Sequence, residues 1–177
     1  MKKRFKIIIA DVAIFVITIL GFMIANDLLD RENILDRISE WPDLQVHTLD
    51  GEQVSTTDLL DNKPVMLYYF NTECIFCQGT FTDLPNHSEL KKEATLIFIS
   101  DEDPGVVRNF ISDMGLDDLT DILFFYDADQ QVKDFFAIRG VPAIYLYNQH
   151  GKLIQLHRGA TALTKIRSEL QKSISSR

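Results

Sequence analysis

Two short apolar runs constrain this chain more than any other feature. VMLYYF at residues 65–70 and TLIFI at residues 95–99 carry almost no polar side chain, and Pro64 and Ala94 precede them. Five or six residues are too few for a buried helix, so both runs predict strands covered on both faces. A sheet covered on both faces needs helices packed against it. Helices are predicted over residues 74–92, 105–114, 131–136 and 161–173, the second opened by Asp103-Pro104. Residues 45–49 and 53–55 flank Asp50-Gly51 and predict a hairpin. A further strand falls at residues 122–126, and a second hairpin joins residues 143–147 and 153–157. The expected domain, residues 43–177, is α/β with a mixed central sheet and an N-terminal β-hairpin extension.

The 177 residues leave room for an appendage before that domain. Residues 1–6 form a basic tail containing Lys2, Lys3, Arg4 and Lys6. Residues 7–25 are mostly apolar with Asp11 as their only charge, and as a helix would span ~28 Å of a ~30 Å bilayer core. Phe22, Met23 and Ile24 put bulky groups where a cleaved signal peptide would need small ones. The expectation is one uncleaved membrane span, with the N-terminus in the cytoplasm and the remainder outside. Residues 26–42 place Leu28, Leu29, Ile34, Leu35, Ile38 and Trp41 at helical intervals and predict an amphipathic spacer helix ended by Pro42. The net charge of −8 excludes nucleic acid as a partner.

The only two cysteines are Cys74 and Cys77, placed where the first buried strand hands over to a helix. Positions i and i+3 are neighbours on a helix, close enough for a reversible disulfide. Cys74 would sit at the helix N-terminus, where unpaired N–H groups favour a thiolate, and would attack; Cys77, one turn inside, would resolve. A closed zinc site needs four ligands, and haem attachment needs His after Cys77, where Gln78 stands. No cofactor is therefore expected. His47, His87, His150 and His157 are scattered. Residues 101–103, Asp-Glu-Asp, suggest a solvated charged loop. In Ile138-Arg-Gly-Val-Pro142 a proline precedes a strand, marking its start, an edge or a bend.

Together these segments resemble the thioredoxin superfamily, most closely its TlpA/ResA-like branch of membrane-anchored bacterial thiol–disulfide oxidoreductases. The similarity runs through the Asp50-Gly51 hairpin, the strand entering Cys74-Ile-Phe-Cys77, Phe124-Phe-Tyr-Asp-Ala-Asp-Gln-Gln-Val132, and Ile138 to Pro142. The resemblance implies a thioredoxin-like fold and a cis Pro142 facing the cysteines. The backbone of Val141 would then bind extended disulfide-bearing client proteins. It further implies a bacterial inner-membrane location and a membrane electron donor that re-reduces the pair. Several positions depart from the family pattern. Glu73 and Phe76 replace Trp and Pro and, with Ile75, are expected to tune the dithiol. Tyr68 stands where thioredoxins carry a buried Asp, and Thr80 where the branch carries Glu. Negative charge at Glu73 should oppose a thiolate and favour a reductase. Two alternatives remain open. A peroxiredoxin-like peroxidase would place Thr or Ser three residues before its cysteine, where Asn71 stands. A non-enzymatic carrier would hold copper on the two thiols.

Overall fold

The computed structural model describes residues 2–117, 119 and 121–175, with side chains from Phe15 to Ser173. It divides into two compact units, Met1–Arg37 and Ile38–Arg177. The first is one helix, α1 (Lys2–Arg37). The basic side chains of the tail and those of residues 7–14, including Asp11, lie outside the described residues. Phe15, Ile17, Phe22, Met23 and Ile24 are more than 60% exposed. Among the described residues no helix is long and apolar enough to cross a membrane.

The helix stops at Arg37, short of the stop expected at Pro42. Ile38 and the residues after it belong to the second unit. Trp41 N–H donates to the Gly151 carbonyl at 2.7 Å, and Leu153 N–H to that of Ser39 at 2.8 Å. Glu40 pairs with Lys152 as an isolated antiparallel bridge. The Trp41 indole donates to the Thr56 carbonyl at 2.9 Å, and its ring meets Tyr147 edge-on at 5.1 Å. A helix continuing through Trp41 would consume these backbone groups internally. The apolar spacing of Ile38 and Trp41 thus serves a strap across the second unit.

Among the described residues seven strands form one sheet: β1 (Gln45–Thr48), β2 (Gln53–Ser55), β3 (Val65–Tyr69), β4 (Thr95–Ser100), β5 (Ile122–Tyr126), β6 (Ala143–Tyr147) and β7 (Leu153–Arg158). Their order is β2-β1-β5-β4-β3-β6-β7. β3, β4 and β5 are parallel, and the hairpins β1–β2 and β6–β7 add antiparallel strands on either side. All five residues of β3 are buried, as expected for a strand covered on both faces. Met66, Tyr68 and Phe70 project into a core with residues of α2 (Ile75–Asp83), α3 (Ser88–Glu93), α4 (Pro104–Asp113) and α6 (Leu163–Ser175). Toward the other face Tyr145 packs against Phe136, just past α5 (Gln131–Phe135), with centroids 4.4 Å apart and the rings tilted by 51°.

The single helix expected over residues 74–92 is three pieces. α2 gives way to a 3₁₀ turn at Leu84–Asn86, and α3 follows. Pro85 has no N–H, and its ring obstructs the preceding turn, so the α-helical ladder stops there. The last helix begins at Leu163, two residues later than expected.

Candidate active site

Cys74 is the N-cap of α2. Its backbone is extended, and its Sγ accepts the Cys77 N–H at 3.4 Å. The sulfur lies one residue outside the first helical turn that the spacing predicted, and it does what a Ser or Asp oxygen does at a cap. Both cysteines are free thiols, Cys74 half-buried and Cys77 fully buried. The Cys77 thiol is pushed up to about 12, first by burial and next by its hydrogen bond to Cys74. The Asn71 backbone and the Tyr68 hydroxyl pull against that rise.

Chain segments far apart in sequence meet here. The Cys74 thiol donates to the Val141 carbonyl at 3.7 Å, and the Val141–Pro142 peptide bond is cis. Pro142 is buried, and its carbonyl accepts the Gly159 N–H at 2.8 Å. Beneath the pair, Tyr68 is fully buried and donates to Thr80 Oγ1 at 2.9 Å. Burial holds the Tyr68 phenol well above its ordinary value. It is therefore a hydrogen-bond donor rather than a base. Ile75 and Phe76, between the cysteines, are 74% and 61% exposed. They border an open groove of about 310 Å³ whose other walls include Gly79 and Ala160–Leu163. Glu73 is exposed, with its N–H on Asn71 Oδ1 at 2.9 Å. Water screens a side chain so placed, so burial of Cys77 is the stronger influence on the pair.

Residues that sequence reasoning passed over complete the site. Glu102 accepts from both Thr72 N–H at 2.6 Å and Thr72 Oγ1 at 2.9 Å. Gln78 Nε2 donates to the Thr72 carbonyl at 2.8 Å. The signal for Glu102 lay in strand register: Tyr69 pairs with Ile99, so three residues on, Thr72 comes opposite Glu102.

The model of the AhpC/TSA family matches residues 39–156, two thirds of the chain. The chain belongs to the AhpC/TSA family. Among curated relatives, the thiol-disulfide oxidoreductase ResA of Bacillus subtilis is 25% identical over 161 residues, covering 89% of this chain and 87% of that protein. ResA of Oceanobacillus iheyensis is 26% identical over 176 residues, covering 96% and 90%. Among solved structures, a thiol:disulfide interchange protein DsbE from Chlorobium tepidum superposes with a TM-score of 0.64 at 17% identity, covering 76% of this chain and 94% of its own. The second unit thus has the thioredoxin-like fold that the resemblance implied. Within the AhpC/TSA family the chain resembles the ResA oxidoreductases.

Proposed function

We propose that this protein is a membrane-tethered, extracytoplasmic thiol–disulfide oxidoreductase that reduces disulfides of exported proteins. Thiol–disulfide exchange itself follows from kinship with the ResA oxidoreductases. The observation that carries the residue roles is the asymmetry of the dithiol: Cys74 is half-open at a helix cap, and Cys77 is sealed beneath it.

In the proposed cycle, the Cys74 thiolate attacks one sulfur of a client disulfide. A Cys74–client bond forms, the client S–S bond breaks, and one client thiolate leaves. Cys77 then loses its proton and attacks Cys74 Sγ. The Cys74–Cys77 bond forms, the second client thiolate leaves, and two electrons have passed to the client. A dithiol donor at the membrane returns the pair to its reduced state. Val141 and Pro142 would hold the client as an added extended strand.

The reducing direction is supported at Cys77: a thiol held as high as about 12 is protonated near neutral pH and lends the reduced pair no stabilisation as a thiolate. A reduction potential near that of thioredoxin (about −270 mV) is expected; one near the strongly oxidising end (about −120 mV) would reverse the assignment. Tethering is supported by the apolar residues 7–25 beside a basic tail, and by the exposure of Phe15, Ile17, Phe22, Met23 and Ile24. Anchoring would raise the effective concentration of donor and client alike. A peroxidase reading is weaker: Asn71 holds the position where a hydroxyl would orient peroxide. The nearby Thr72 and Thr80 hydroxyls are bonded to Glu102 and Tyr68.

The test is Cys77→Ser in the full-length chain, expressed in a bacterium. Cys74 should accumulate a covalent client, reversible by dithiothreitol and identifiable by mass spectrometry, in membranes that survive an alkaline carbonate wash. Recovery of the variant without any mixed disulfide would refute the exchange cycle, and its loss to the wash would refute the anchor.

A further inference from the structure

Asp101, Glu102 and Asp103 read in sequence as one charged loop, yet each carboxylate has a separate task. Asp101 pairs with Lys133 Nζ at 2.6 Å, and Asp103 caps α4 by accepting the Gly105 N–H at 2.8 Å. Glu102 turns toward the dithiol loop. Its two oxygens take the Thr72 N–H and hydroxyl, and one of them also accepts from the buried Ser100 hydroxyl at 3.2 Å. With Gln78 on its carbonyl, Thr72 is gripped at all three of its polar atoms.

Thr72 is the middle of the connection from β3 to Cys74. Asn71, on one side of it, accepts the Cys74 N–H on its carbonyl at 3.2 Å and the Glu73 N–H on Oδ1 at 2.9 Å. The grip therefore determines where Asn71 points its backbone and where the Cys74 sulfur stands relative to the Cys77 N–H and the Val141 carbonyl.

We propose that Glu102 is a positioning residue for thiol–disulfide exchange: by clamping Thr72 from the end of β4, it holds the Cys74 sulfur in its reactive place at the α2 cap. The inference rests on Cys74 being the attacking thiol. It carries a definite sign. A carboxylate acting through its charge alone would oppose thiolate formation, so its removal would speed attack. A carboxylate acting as a clamp has the opposite effect. Without it the loop loosens, the cap bond to Cys74 weakens, and attack slows.

Glu102→Ala removes both acceptor oxygens from Thr72. Thr72→Val removes the hydroxyl, and Thr72→Ser retains it. In the full-length, reduced chain in detergent, two rates are measured against pH: alkylation of Cys74 by iodoacetamide, located by mass spectrometry, and exchange with 5,5′-dithiobis(2-nitrobenzoate). E102A and T72V should slow both by about tenfold, within the ~10²-fold that a 1 Å misplacement can cost. T72S should behave as the parent. Unchanged or faster rates in E102A and T72V would overturn the proposal. If E102A loses its thermal unfolding transition, the contrast between T72V and T72S decides by the same criteria. Alkylation needs no disulfide chemistry, so a failed clamp is distinguishable from a failed oxidoreductase: the first leaves exchange intact in the parent chain, the second abolishes it there.

Discussion

Phe81→Ala should destabilise the second unit by about 3–5 kcal/mol, the range for a large aromatic truncated in a packed core. Phe81 is 0% exposed. Its ring lies 4.9 Å from Phe70, 5.0 Å from Phe98 and 5.1 Å from Phe110, centroid to centroid, with Tyr68 and Phe124 about one ångström farther. Removing it takes apolar surface out of the interior and opens a void between rings borne on β3, β4, β5 and α4. Neighbours that are themselves large and fully packed cannot collapse to fill it. Against a total stability of about 5–15 kcal/mol the loss is large. Trp41, the chain's only tryptophan, reports on this unit, so urea unfolding of the full-length protein can be followed by its fluorescence. The midpoint should fall with the slope unchanged. Phe76→Ala, on the same helix but 61% exposed, should stay within about 0.5 kcal/mol. Equal effects for the two would mean that α2 is not seated by this aromatic cluster. Because Phe81 stands one turn beyond Cys77, its loss should also loosen the resolving thiol.

That contrast explains which parts of the molecule could be read from sequence. Runs such as residues 65–70 announce themselves, because a strand buried on both faces admits no polar residue. Asp103-Pro104 marks a helix start by two separate mechanisms, a side-chain cap and a preset φ, and α4 begins there. Residues 38–42 failed because Ile38 and Trp41 are spaced as a helix would space them. What distinguishes a strap is its hydrogen bonds to Gly151 and Leu153, which are remote in sequence. Pro85 lies inside the run whose spacing predicts one helix, and its missing N–H divides that run. At the site, spacing alone placed the two cysteines together at a helix start, because residues i and i+3 are neighbours there. Glu102 was not legible. Its role depends on the parallel register of β3 and β4, and composition alone made it one of three similar acids. Tyr68 was noticed as a departure from pattern, but only its bond to Thr80 shows it to be a donor.

Release of a client from its mixed disulfide with Cys74 should accelerate about tenfold for each pH unit through the neutral range. Cys77 must be a thiolate to attack, and burial is the main reason it sits at about 12. The part of the rise that comes from the Cys74 sulfur disappears once Cys74 is tied to a client, whereas burial remains. Well below its pKa the thiolate fraction of any thiol grows tenfold per pH unit, and the rate follows it. Tyr68 cannot take the proton, since burial holds its own hydroxyl protonated. It can donate to the forming thiolate, so Tyr68→Phe should slow release several-fold without changing the slope. Rapid mixing of reduced protein with a model disulfide, quenched by acid at intervals, measures the decay of the mixed species directly. A flat profile would require a base beside Cys77 and would end this account of the resolving step. The same displacement acts on stability. A thiol raised from 9.0 to about 12 favours the fold while protonated, so the contribution is whole below pH 9 and is lost as pH climbs toward 12. It amounts to on the order of 4 kcal/mol at most. Buried tyrosines, Tyr145 among them at about 12, erode stability over part of the same alkaline window. The difference between the reduced parent and Cys77→Ser isolates the thiol: the parent should lose more stability between pH 9 and 12, and the two curves should run parallel below it.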